Sequence, residues 1–170
     1  MKIILTSVLV LIIIPQLFAQ NTAMKKTFTE FQTAILNQDC EKLTEISSFP
    51  IEGDAGLARL VESSPPRIDM EKHNYEISKE LLEQKCALLD SIEVKVLEQF
   101  SVNNESKSSE IEYNGCIYKA HLYVAEDKNY FQWSVGCVEL LKESISEYAL
   151  IFTFKLIDGE YKLKQIQGAG

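Results

Sequence analysis

Residues 115–140, GCIYKAHLYVAEDKNYFQWSVGCVEL, and 148–167, YALIFTFKLIDGEYKLKQIQ, each read as strand, turn, strand. In the second stretch Asp158-Gly159 separates two alternating runs. A two-residue type I′ turn needs positive φ at both central positions, which Asp and Gly tolerate. That turn sets Leu156 opposite Tyr161 and Phe154 opposite Leu163, and Phe152 and Leu150 extend the same apolar face. Thr153, Lys155, Lys162 and Lys164 fall on the opposite face, which is expected to be wet.

In the first stretch the strands flank Glu126-Asp127-Lys128-Asn129. Cys116, Tyr118, Ala120, Leu122 and Val124 share one face, and Ile117, Lys119, His121 and Tyr123 the other. In the partner strand Phe131, Trp133, Val135 and Cys137 alternate with Tyr130, Gln132, Ser134 and Gly136. The apolar sets pack on one side in either of two registers. One places Cys116 opposite Cys137, Tyr118 opposite Val135, Ala120 opposite Trp133 and Leu122 opposite Phe131. A slip by one pleat instead puts Tyr118 opposite Cys137. A facing cysteine pair can be bridged when its Cα atoms lie within about 7 Å. The expected pairs are therefore Cys116–Cys137 and, by remainder, Cys40–Cys86, out of three possible connectivities.

A meander with one apolar face needs a cover, and the first half of the chain supplies helices. Met24, Phe28, Phe31 and Ile35 form one stripe of a helix over 24–38. Asp39 can cap a short helix through Glu41 to Ser47, with Leu43 and Ile46 inward. Phe49-Pro50-Ile51 is expected at a sheet edge, since Pro50 cannot donate a ladder hydrogen bond. Residues 52–74 carry Gly53, Gly56 and Ser63-Ser64-Pro65-Pro66 and read as a loop, with Leu57, Leu60 and Val61 fitting one helical turn. Ser78 caps a helix running to Leu89, with Ile77 and Leu82 as its hydrophobic staple. Asp90 and Glu93 have the spacing of a capping box for a segment carrying Ile92, Val96, Leu97 and Phe100. The alternation Ile92, Val94, Val96 also allows a strand there. Residues 103–110 read as an exposed loop. Within it, Asn104-Glu105-Ser106 matches an N-glycosylation triplet of a kind that arises often by chance.

The chain has 170 residues, 46% hydrophobic and 25% charged, which suits one folded domain. Lys2, the apolar run Ile3 to Phe18, and Ala19 before Gln20-Asn21 have the form of a signal peptide over residues 1–19. The run of about 16 residues is short of the roughly 20 that span a bilayer. The expectation is a single domain over 20–170 in the periplasm or secreted, without stable membrane insertion after cleavage. The net charge is −8, and loss of Lys2 makes it −9. With arginine only at 59 and 67 and no basic cluster, nucleic acid is excluded as a partner. Four cysteines in an exported chain favour two disulfides. Their spacings match no metal or redox motif, and His73 and His121 make no ligand pair, so no metal and no cofactor are expected.

The pattern of helices followed by a curved antiparallel meander is α+β. The F-x-x-F helix Phe28 to Asp39, the segment Leu43 to Ile51 ending F-P-I, the helical segment Ile77 to Phe100, and the closing strands Glu147 to Ile166 with Gly159-Glu160-Tyr161-Lys162-Leu163 resemble the exported NTF2-like (cystatin-like) proteins of Bacteroidetes-type bacteria. The resemblance implies a bent sheet wrapped around a long helix with a cavity between them. It also implies either an enzyme of the isomerase or dehydratase kind or a binding module, and fold alone does not choose between these.

The expected pocket lining is Tyr118, Leu122, Phe131, Trp133 and Phe152. An isomerase needs a carboxylate base in an apolar pocket and an acidic hydrogen-bond donor. No Asp or Glu lies between Tyr118 and Trp133 on the apolar face of the first hairpin, and Glu139 at the strand end is the nearest of the right parity. There is no G-x-S-x-G elbow and no Gly-rich phosphate loop. The expectation is a non-enzymatic binding or interaction domain, its partner a hydrophobic small molecule or another exported protein. The alternatives are a cone-pocket enzyme acting on a hydrophobic small molecule, and a protein-binding inhibitor or immunity factor.

Overall fold

The computed structural model describes residues 21–54, 74–102, 109–140 and 145–170. The expected signal peptide, residues 55–73 of the expected 52–74 loop (His73 among them), and the Asn104 triplet lie outside the described residues. Four helices are described: α1 (residues 21–37), α2 (Cys40–Glu45), α3 (Lys79–Gln84) and α4 (Ser91–Gln99). The strands are β1 (Ser47–Glu52), β2 (Glu76–Ile77), β3 (Glu110–Tyr113), β4 (Cys116–Val124), β5 (Tyr130–Leu140), β6 (Ile145–Ile157) and β7 (Glu160–Ala169). They form one unclosed sheet in the order β2-β1-β7-β6-β5-β4-β3. Only the β1–β7 pair is parallel. Helices on one face of a curved, mostly antiparallel sheet make the α+β cone that the NTF2-like resemblance implies.

The stripe on α1 is buried as its spacing requires: Met24, Phe28, Phe31 and Ile35 are inside, joined by Ala34 and Thr27. Phe31 meets Phe152 and Phe154 of β6 with ring centroids 5.3 and 5.2 Å apart. Gln32 on α1 donates to the carbonyls of Leu97 (2.7 Å) and Phe100 (3.0 Å), satisfying the open C-terminus of α4. The segment after Asp90 is a helix, not a strand. Asp90 Oδ1 accepts from the amides of Ile92 and Glu93, and Glu93 Oε2 accepts from the amide of Asp90 at 2.8 Å, a complete capping box.

The Asp158-Gly159 turn has φ of 50° and 85°, and it pairs Leu156 with Tyr161 and Phe154 with Leu163 as its type requires. Other expectations change. The β4–β5 register is the slipped one: Tyr118 faces Cys137, Ala120 faces Val135, Leu122 faces Trp133 and Val124 faces Phe131. The turn decides it. Lys128 takes a left-handed φ of 54° and its amide closes on the Ala125 carbonyl at 2.9 Å, while Asp127 holds Asn129 through both amides. β3 is an addition: its first residue, Glu110, ends the expected loop, and 111–113 carry no expected element. Its signal is Asn114-Gly115, whose φ values of 51° and 80° make a second tight hairpin turn. The helix from Ser78 stops at Gln84, where Lys85 turns to φ −142°, ψ 96°. β1 is not the sheet edge. It lies between β2 and β7, with its register shifted between Ser47 and Glu52, around Pro50. Thr153 is buried (3% exposed) rather than wet, because Gln132 and Gln165 flank it on both neighbouring strands and Gln132 Nε2 donates to its hydroxyl at 3.1 Å.

Candidate functional site

The expected pocket residues divide into two groups. Phe131, Trp133 and Phe152 are wholly buried: Phe28, Phe31 and Phe100 pack on Trp133, Phe31 packs on Phe152, and Tyr161 packs edge-on against Phe131. Phe131 also stacks on Phe154, with centroids 4.6 Å apart and planes 5° apart. Tight aromatic contact of this kind is the packing of a protein interior. The Trp133 indole N–H has no hydrogen-bond partner among the described residues, an uncompensated donor in apolar surroundings. Leu122 and Tyr118 are half-buried, at the rim of the same face.

The slipped register brings Tyr118 of β4, Cys137 of β5 and Tyr148 of β6 into one row across three strands. Tyr148 donates to the Tyr118 hydroxyl at 3.1 Å, and their rings stand nearly perpendicular with centroids 6.4 Å apart. The hydroxyl pair thus bridges over Cys137. Cys116 lies 5.8 Å from Cys137, Cα to Cα, and Cys40 lies 5.3 Å from Cys86, both disulfide distances.

α4 lays Glu93 near this row. The Glu93 carboxylate is wholly buried and spends one oxygen on the Asp90 amide. The Tyr148 phenol is pushed far above the ordinary tyrosine value, first by burial, then by its bond to Tyr118, with smaller contributions from Glu93 and Asp90. Tyr148 is therefore a neutral donor at any physiological pH. Among the described residues the Tyr118 hydroxyl has no partner besides Tyr148, so its own proton is open to an acceptor from outside.

Two members of this cluster were missed in the sequence. Tyr148 has the same parity as Leu150, Phe152 and Phe154, so the alternation already placed it on the inner face. Glu93 shares the helical stripe of Val96 and Leu97, three and four residues on, and a carboxylate on an apolar stripe is itself a signal. Glu139 is exposed opposite Cys116. His121 is exposed on the outer face and helps line a shallow groove of about 260 Å³, together with Lys119, Ser134, Gly136 and Ala149 and with atoms of Cys137 and Tyr148. Among the described residues, no three His, Cys, Asp or Glu side chains could hold a metal ion, and no helix is long and apolar enough to cross a membrane.

No family model matches the chain, and no curated protein matches it. Solved structures do. A designed NTF2-like protein is 9% identical over 88% of this chain and 98% of its own, with a TM-score of 0.37. A phenazine biosynthesis-related protein from Pseudomonas aeruginosa is 17% identical over 89% of this chain and 83% of its own, with a TM-score of 0.35. Scores this low carry no function from those proteins to this chain.

Proposed function

We propose that the chain is an exported, non-enzymatic binding domain that takes a neutral apolar ligand at the Tyr118 rim. The observation that carries this is the sealed carboxylate. Glu93 is the carboxylate whose charge weighs most on Tyr148, yet it is wholly buried and engaged in the α4 capping box. A general base has to come within hydrogen-bond reach of the proton it takes. What faces outward is a partly exposed tyrosine donor beside half-buried Ile111, its cross-strand neighbour on β3. The carboxylates of Glu93 and Asp90 behind the pair disfavour an anion, so the fitting ligand presents a carbonyl or hydroxyl oxygen on an apolar body.

Export rests on the leader over residues 1–19 and on the two cysteine pairs at disulfide distance, which we take to be oxidised in the mature protein. A mature N-terminus at Gln20 is the expected outcome of sequencing the secreted form.

The second reading is the cone-pocket enzyme, favoured by the same grouping of Glu93 with two tyrosines. One experiment separates them. The Tyr118 and Tyr148 ring resonances are followed by NMR while camphor, a neutral apolar ketone, is titrated in. Saturable shifts at both rings are expected, with binding weakened about threefold to tenfold by Tyr118→Phe, the value of one net hydrogen bond. An unchanged affinity in Tyr118→Phe would overturn the assignment of the rim. Turnover of an enone substrate that is lost in Glu93→Gln would overturn the non-enzymatic reading.

A further inference from the structure

The two cysteine pairs sit in opposite surroundings. Cys116 and Cys137 are 8% and 4% exposed, and the Tyr118–Tyr148 hydroxyl pair closes over Cys137. Cys40 and Cys86 are both partly exposed. Cys40 opens α2 and Cys86 follows the end of α3, so this pair ties α2 to α3. These two helices face each other across a groove of about 540 Å³. Glu41, Glu45, Ser47 and Phe49 line it from the α2–β1 side, and Lys79 and Glu83 from α3. Apart from the tie, α3 is anchored by wholly buried Leu82 and by half-buried Leu81, which packs against the same core.

We propose that Cys40–Cys86 is a thiol-exchangeable clasp holding the two walls of this groove together, while Cys116–Cys137 is inert beneath its tyrosine cover. The inference rests on the reading that both pairs are oxidised. Exchange requires a thiolate to reach a disulfide sulfur, so access separates two otherwise similar bonds. The reductant is a dithiol. Its thiolate attacks one sulfur of the pair, forming a mixed disulfide and expelling the other cysteine as thiolate. The second thiolate of the reductant then displaces the remaining cysteine. Two electrons pass from the dithiol, which becomes a cyclic disulfide, to Cys40 and Cys86, which take up two protons. With the bond open, α3 is held by Leu81, Leu82 and the short β2 pairing that precedes it, and the α3 wall moves out from α2.

The test uses the intact secreted protein in dithiothreitol at neutral pH, with samples quenched by iodoacetamide over time and mapped by mass spectrometry. Cys40 and Cys86 are expected to be labelled about tenfold sooner than Cys116 and Cys137. Tryptic cleavage after Lys79, the first residue of α3, and Lys85, its C-cap, is expected to rise in step with the early labelling. Equal rates, or labelling of Cys116 and Cys137 first, would overturn the proposal. Full labelling of Cys40 and Cys86 with unchanged cleavage would overturn the clasp. Labelling before dithiothreitol is added would show free thiols, which removes the oxidised pairs and the clasp with them but leaves ligand binding at Tyr118 untouched. In Tyr148→Ala the labelling of Cys116 and Cys137 should move toward the early phase, and an unchanged interval in a variant with native circular dichroism would count against the cover.

Discussion

Gly136 shows how one missing side chain shapes the sheet. It sits in β5 opposite Ala149 and Lys119. A Cβ built there would run into the Tyr148 carbonyl and stand 2.8 Å from the Ala149 Cβ. Both neighbours belong to strand β6 and cannot swing aside. Gly136→Ala is therefore expected to cost about 1–3 kcal/mol as overpacking, measured as a lower urea midpoint with the slope unchanged. A wild-type midpoint would mean that β6 yields. The same substitution presses on Tyr148, so weaker ligand binding at Tyr118 should accompany the loss. Local spacing cannot reveal this position, because the clash is with a residue twelve places along the chain. A glycine between two apolar strand residues is a hint only.

At the scale of elements, signals confined to a few neighbouring residues were legible. The α1 stripe, the Asp39 and Ser78 caps, the capping box and the Asp158-Gly159 turn all stand as their spacing requires. Each depends on contacts within about one turn of chain. The capping box gives a direct check. Asp90 holds the first amides of α4, and Glu93 reaches back to Asp90 and lies buried near Tyr148. Asp90→Ala is expected to lower stability by about 1 kcal/mol. It should also disturb the Tyr118 and Tyr148 ring resonances, because the backbone of Glu93 loses the Asp90 carboxylate that accepts from its amide and the first turn of α4 loosens around the Glu93 side chain. A stability loss with both rings unmoved would separate the cap from the site. Where a longer-range partner decided the outcome, the local pattern misled. The helix after Ser78 is shorter than its periodicity allows. β1 is drawn beside β7, more than a hundred residues away, where Lys164 Nζ donates to the Pro50 carbonyl at 2.7 Å and approaches Glu52 at 3.5 Å.

For the whole molecule, the tyrosines set the behaviour in alkali. Tyr148 and Tyr161 are both raised, each chiefly by burial. In the unfolded chain they ionise near the ordinary value of 10, while in the fold they hold their protons. Above that pH the native state therefore binds more protons than the unfolded state, and stability falls as pH rises. The expected result is a melting temperature that declines from about pH 9 to 11, with Tyr148→Phe flattening the decline. A flat profile in the wild type would contradict the burial of these phenols. By itself the sequence determined the class of the molecule: which residues are apolar and alternate, which helices have caps, which turn closes the last hairpin, and hence an α+β fold with helices covering the apolar face of the sheet. Those features are set by chemistry between near neighbours. Only the tertiary structure decided the β4–β5 register, the row Tyr118–Cys137–Tyr148, the place of Glu93 beside it, and the filling of the aromatic pocket by Phe28, Phe31 and Phe100. The reason is physical. A strand keeps its apolar face under a slip of one pleat, so the choice fell to the turn geometry at Lys128 and to the fit of α1 and α4 against three strands at once.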